Sequence, residues 1–322
     1  MAGSAGRGWP VTAGPGRSTL CRMTEQRLIV PGPGGRELEV VVAGRPGGRP
    51  LVFHNGTPGG LVVYRPIADQ LADRGLALVM YARPGYGRST PQPGRTVADA
   101  AADTAAVLDH LEAGPFLTAG WSGGGPHALA CAALLPDRCL AAASMAGVAP
   151  YGAAGLDWLA GMGQENIQEF RTAVAGPAPL EAMLSQLAPA LRGLTAEQIA
   201  AGMGGLLSDA DKSVLTGGFA GYLAESMQAG LEAGIAGWRD DDLAFVADWG
   251  FSLAALASGP VPLSIWQGGQ DLMVPGAHGA WLAGQLPGAR THLLPAAGHL
   301  TLAAATFGEI LDELLDMVTA QR

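Results

Sequence analysis

Short apolar runs alternate with helical stretches over the first and last parts of this chain, and that alternation leaves few folds open. Leu51 to His54, Leu76 to Tyr81, Pro115 to Ala119 and Leu140 to Met145 are largely apolar and too short for helices. Between them, Pro66 to Arg74 sets Ile67 and Leu71 four apart, with Gly75 where a helix stop belongs. Val97 to Leu111 likewise carries Val97, Ala101, Val107, Leu108 and Leu111 broadly on one face. Apolar strands that alternate with helices build a parallel sheet covered on both faces. Arg27 to Val30 and Glu37 to Val42 read as a pair of strands that starts the sheet.

The rhythm breaks near Tyr151. For about a hundred residues, segments rich in Leu, Ala, Met and Gly follow one another without a convincing strand. Thr195 with Gln198, and Ser208 with Asp211, have the spacing of capping boxes or close variants. The strand–helix pattern resumes at Val261 to Gln267, then Ala277 to Gln285, Thr291 to Leu294 and a last helix from Leu302 to Val318. The expected architecture is α/β, a mostly parallel sheet flanked by helices. Residues 24–150 and 251–322 form the core, and 151–250 form an inserted helical cap over the sheet's carboxyl edge.

Composition narrows the partners. With 322 residues, 48% of them hydrophobic, the chain can bury a sizeable core. A net charge of −9 argues against a nucleic-acid surface or an anionic membrane, both of which call for basic patches. A small molecule is the expected partner, and the pattern is silent on oligomeric state. No run is apolar enough to span a bilayer. Residues 1–23 hold Gly, Pro, Ser and three arginines without an acid, and read as a disordered tail in which Met23 is a second candidate start. The three cysteines form neither a CxxC pair nor a zinc-spaced cluster, which fits a reducing cytoplasm and no metal. No dinucleotide or phosphate loop signals a cofactor.

Gly120-Trp121-Ser122-Gly123-Gly124 has the G-x-S-x-G form of a nucleophile elbow, a sharp strand-to-helix turn that forces the serine into strained backbone angles. Glycine is so abundant, 49 residues, that the pattern alone is weak. Its setting strengthens it: a short apolar strand precedes it, and a helix of small residues follows with Pro126 near its first turn.

A serine needs a base, and His299 lies in the loop after the last strand. His54 and His127 lie near the elbow as rivals or supports, while His110, His278 and His292 read as surface or packing residues. Asp271 directly follows the strand ending at Gln267 and is placed to hold an imidazole in the productive tautomer. The order Ser122, Asp271, His299 is one of the chain orders that serine triads adopt. Asp240, Asp241, Asp242 and Asp248 are alternatives in sequence, but so acidic a run reads more naturally as a solvated face. An oxyanion needs two N–H donors. Gly123, directly after the serine, and Thr57, in the loop after the Leu51–His54 strand, are the candidates, with His54, Asn55 and Trp121 around them.

Together these residues resemble the α/β-hydrolase superfamily, more narrowly its esterase and proline-iminopeptidase-like branch. The likeness covers about residues 27–150 and 250–320. It rests on His54-Asn55-Gly56-Thr57-Pro58-Gly59-Gly60, Arg83-Pro84-Gly85-Tyr86-Gly87, the Ser122 elbow, Gly269-Gln270-Asp271 and Gly298-His299. One departure is that Asn55 stands where the family's oxyanion loop often has histidine. The resemblance implies hydrolysis of a small ester, thioester or lactone through an acyl-enzyme. Ser122 in the elbow argues against dehalogenase or epoxide hydrolase chemistry, whose members place an aspartate there. Met162, Met183, Met203 and Met227 are candidates to line an apolar pocket, or simply to pack the cap. Two alternatives stay open. One is an aminopeptidase acting on N-terminal proline, with Glu165, Glu169, Glu181, Glu225 or Glu232 capturing the ammonium. The other is a noncatalytic small-molecule-binding protein of the same fold.

Overall fold

The computed structural model describes residues 25–320. The stretch read as a tail therefore lies outside the described residues. The chain opens with β1 (Gln26–Pro31), β2 (Glu37–Gly44) and β3 (Arg49–His54), then α1 (Arg65–Asp73), β4 (Leu76–Tyr81) and α2 (Asp99–His110). Next come β5 (Phe116–Trp121), α3 (Gly124–Leu134) and β6 (Cys139–Met145).

The following stretch is helical: α4 (Gln164–Val174), α5 (Pro177–Arg192), α6 (Ile199–Gly202), α7 (Asp209–Val214), α8 (Gly217–Leu231), α9 (Ala236–Val246) and α10 (Leu253–Ala257). The sheet pattern then returns with β7 (Leu263–Gly268), α11 (Gly276–Gln285), β8 (Arg290–Leu294) and α12 (His299–Thr319).

All eight strands form one sheet in the order β1-β2-β4-β3-β5-β6-β7-β8. Only the β1–β2 and β2–β4 pairings are antiparallel; from β4 to β8 the neighbours run parallel. Loops at the carboxyl ends of parallel strands converge on one edge, where ligands bind in open α/β sheets. The turns after β3, β5, β7 and β8 all lie there.

Burial explains why these segments hold. Strand β4 is buried at all six positions, as a strand covered on both faces must be. Helix α12 lays Phe307, Ile310, Leu311, Leu314 and Met317 into the sheet, with Phe307 edge-on to Phe53 at 5.8 Å. Burying each such side chain contributes about 1.5–3 kcal/mol before conformational entropy is subtracted. Among the described residues no helix is long and apolar enough to cross a membrane.

One expected boundary moves. His299 was expected in a loop, but it is the first residue of α12. The helix starts earlier than its apolar pattern because its cap comes from a distant carboxylate, described below.

Candidate active site

Ser122 sits directly after β5 with φ of 57°, in the left-handed region that L residues avoid at a cost of about 1–3 kcal/mol. Backbone bonds clamp it there: its N–H donates to Met145 O at 2.8 Å, and its carbonyl accepts from Gly125 N at 2.9 Å. A Cβ at Gly120 would run into the Gly124 carbonyl, and one at Gly124 into the His54 carbonyl. Those collisions are why the elbow takes glycine on both sides of the serine.

Asp271 and His299 meet across the β7 and β8 turns. The imidazole donates from Nδ1 to Asp271 Oδ2 at 2.7 Å, and both residues are buried. Asp271 is itself fixed, because its Oδ1 accepts from the Met273 and Val274 amides, each at 2.8 Å. A neutral imidazole that donates from Nδ1 keeps its lone pair on Nε2. The Trp121 indole donates to the His299 carbonyl at 3.3 Å, with its ring 5.2 Å from the imidazole.

Thr57 and Gly123 face each other beside Ser122: a Cβ built on Gly123 would lie 2.5 Å from Thr57 Oγ1. Among the described residues neither amide is taken up by a hydrogen bond. The loop that carries Thr57 is pinned from below. Arg83 donates to Asn55 O at 2.7 Å and to Gly56 O at 3.3 Å, while Asn55 Nδ2 donates to Gly60 O at 2.7 Å.

The acidic run expected on a solvated face is buried. Asp240, Asp241 and Asp242 are each at most 2% exposed, and only Asp248 lies at the surface. Asp241 explains the difference. It accepts from Arg83 at 2.5 Å, Arg95 at 2.6 Å, Tyr86 OH at 2.8 Å and Thr57 Oγ1 at 2.7 Å. Burial alone would raise its pKa, but the two guanidinium groups overcome that and hold it well below the usual carboxylate range. Arg83 and Arg95 come from the turn after β4 and the stretch before α2, so periodicity within α9 could not reveal them.

The rival histidines lie beneath the elbow. Burial, with Arg83 nearby, pushes the His54 pKa down to about 3, and its Nε2 lies 3.6 Å from the Cys131 sulfur. Burial also holds His127 well below its ordinary value, and its Nδ1 donates to Gly123 O at 2.8 Å. His278 is wholly buried and bridges Ala149 N and Trp158 O.

Two adjoining cavities open at Ser122. The smaller, about 80 Å³, is walled by His299, Trp121, Tyr222 and Leu223. The larger, about 290 Å³, includes Gly123 and runs between Phe245, Met203, Met227 and Met273 to an acidic end. There the half-buried Glu169 hydrogen-bonds the buried Asp242. Burial raises both pKa values, Asp242 the more strongly because Glu169 lies against it. Glu169 also accepts from Trp238 Nε1 at 2.7 Å. Glu165 lines the same cavity, whereas Glu181, Glu225 and Glu232 are exposed. Met203 and Met227 line both cavities, but Met162 and Met183 line neither. Among the described residues no cluster of three or more His, Cys, Asp or Glu could hold a metal ion.

The family model for the alpha/beta hydrolase fold matches residues 49–304, and the chain belongs to that family. A probable proline iminopeptidase of Leptolyngbya boryana is 33% identical over 103 residues, 30% of this chain and 31% of that protein. The uncharacterized hydrolase YcgS of Bacillus subtilis is 32% identical over 105 residues, 32% of this chain and 36% of that protein. The chain thus matches only about a third of these relatives' length. In three dimensions it is similar to an esterase from Thermogutta terrifontis, with a TM-score of 0.65 at 20% identity, covering 91% of this chain and 99% of that one. The enol-lactonase of Burkholderia xenovorans LB400 gives 0.63 at 21%, covering 90% and 100%.

Proposed function

We propose that this chain is a serine hydrolase of small esters, thioesters or lactones that works through an acyl-enzyme on Ser122. The observation that carries the reading is the 2.7 Å bond from His299 to Asp271 beside a serine held at φ 57° on the same cavity. Ser122 attacks the carbonyl while His299 Nε2 takes its proton. Asp271 stabilises the imidazolium that forms. The Thr57 and Gly123 amides, unoccupied by other described residues, receive the oxyanion. His299 then protonates the leaving oxygen or, for a thioester, sulfur, and water repeats the sequence to release the acid.

The two cavities divide the substrate between them. A leaving group must reach His299, which lines only the smaller cavity, so the alcohol binds there and is short. The acyl group enters the larger, Met-rich cavity. Labelling of Ser122 by a fluorophosphonate, abolished in Ser122→Ala, tests the nucleophile. Labelling at another residue, or none, would refute it.

A second reading is favoured by one feature, the Glu169–Asp242 pair at the end of the larger cavity. An acidic end suits a substrate that carries an ammonium, as an aminopeptidase acting on N-terminal proline requires. Turnover of proline anilide against that of simple esters separates the two readings.

A further inference from the structure

Helix α12 begins with His299, yet its own sequence supplies no cap. Gly298 precedes it without a side chain, and its first turn holds no acid. The first N–H groups of a helix have no partner within it and need an acceptor from elsewhere. Here a single side chain from the helical stretch between β6 and β7 provides it. Asp211 Oδ2 accepts from His299 N at 3.0 Å, and Oδ1 accepts from Leu300 N at 2.8 Å, Thr301 N at 2.9 Å and Thr301 Oγ1 at 3.1 Å.

Asp211 is wholly buried, and no arginine, lysine or histidine side chain among the described residues pairs with it. Its compensation is the helix end itself, where a negative group is favoured. Ser208 completes the arrangement. Its hydroxyl donates to Asp211 Oδ2 at 3.0 Å and accepts from Asp211 N at 3.2 Å. The capping spacing of Ser208 and Asp211 therefore serves two helices at once, α7 through the serine and α12 through the aspartate.

We propose that Asp211 is a positioning residue for the base, an inference that rests on the serine-hydrolase reading. His299 is held at two ends by two carboxylates: Asp271 takes its ring and Asp211 takes its backbone. The Asp271 bond fixes which way the ring points. The Asp211 bond fixes where the residue stands along the sheet edge, and with it the distance from Nε2 to Ser122. The helical stretch over the site thereby takes part in catalysis as well as in enclosing substrate. When α7 is seated the base is seated; when α7 lifts, His299 loses its backbone anchor.

Two substitutions probe this without touching the triad. In Asp211→Asn, the orientation that keeps oxygen toward Leu300 and Thr301 preserves those three bonds and turns the amide NH₂ toward His299 N–H. In Gly298→Ala, the new Cβ collides with both Asp211 carboxylate oxygens, while the Gly298 backbone at φ −98° accommodates alanine. The experiment measures p-nitrophenyl acetate turnover, the rate of fluorophosphonate labelling and Tm for wild type, Ser122→Ala and both variants.

The expected result is labelled wild type, inert Ser122→Ala, and folded variants whose kcat falls about ten- to a hundredfold, the scale of a small misplacement. KM stays within about twofold, because Asp211 itself lines neither substrate cavity, and labelling slows in step with kcat. Should Asp211→Asn not fold, Gly298→Ala carries the comparison. Variants with lowered Tm but unchanged kcat and labelling rate overturn the proposal and leave Asp211 a structural cap alone. Unlabelled wild type, or active Ser122→Ala, overturns the Ser122 reading instead and takes this inference with it.

Discussion

The Thr57 hydroxyl donates to Asp241 at 2.7 Å, joining the loop after β3 to helix α9 across 184 positions of sequence. The bond, with a second from Arg83 to the same hydroxyl at 3.1 Å, ties down the side chain of a residue that lines both cavities at Ser122. Thr57→Val keeps the shape and removes the donor. Its kcat is expected to fall about ten- to a hundredfold with KM little changed, and Thr57→Ser is expected to restore most of it. Equal kcat in the valine and serine variants would show that the hydroxyl does not hold the loop.

Asp241 also sets how the fold responds to acid. Its folded pKa is depressed, so its stabilisation is present above the ordinary carboxylate range and lost as pH falls through that range toward the folded value. Asp241→Asn leaves Arg83 and Arg95 buried without their shared anion. That is expected to cost about 3–5 kcal/mol, the usual penalty for breaking a buried pair from one side. Urea unfolding at pH 7 and pH 4 measures both effects. A variant as stable as wild type at pH 7 would contradict the assignment.

The Glu169–Asp242 pair carries the opposite sign. Burial raises the folded pKa of each above the unfolded value, and repulsion from Glu169 raises that of Asp242 further. Their contribution is therefore fully present at low pH and lost as pH rises through the raised values. Asp242→Asn is expected to flatten this decline. It is also expected to abolish any preference for substrates that bear an ammonium on the acyl side. An unchanged pH–stability curve in the variant would show that the pair is not the group titrating.

Asp271→Asn presents an amide to His299 Nδ1 and can turn its NH₂ toward the ring, favouring the wrong tautomer. A kcat loss on the order of 10⁴-fold with preserved folding is expected. A loss below about tenfold would mean that Asp271 does not orient the base.

Much of this was legible in the sequence, for a physical reason. Residues 76–81 bury every side chain, so their apolar run marks the strand without help from any partner. Ser122, Asp271 and His299 were proposed from sequence because each falls in a turn that follows a strand, and the structure brings those turns to one edge. Contacts between distant segments were not legible. Nothing local in Asp240-Asp241-Asp242 signals that Arg83 and Arg95 wait in the core, so the run resembled a surface. Asp211 was visible only as a capping residue of its own helix, because the amides it serves lie some ninety residues downstream. Glu169 stood undistinguished among other glutamates until helix packing set it against Asp242.

Turnover of p-nitrophenyl esters from acetate to octanoate by wild type and Ser122→Ala reads out the role of Ser122 as nucleophile. That role requires turnover by wild type with an optimum in acyl length set by the larger cavity, and loss of that turnover in Ser122→Ala. Equal turnover by the two proteins would contradict it.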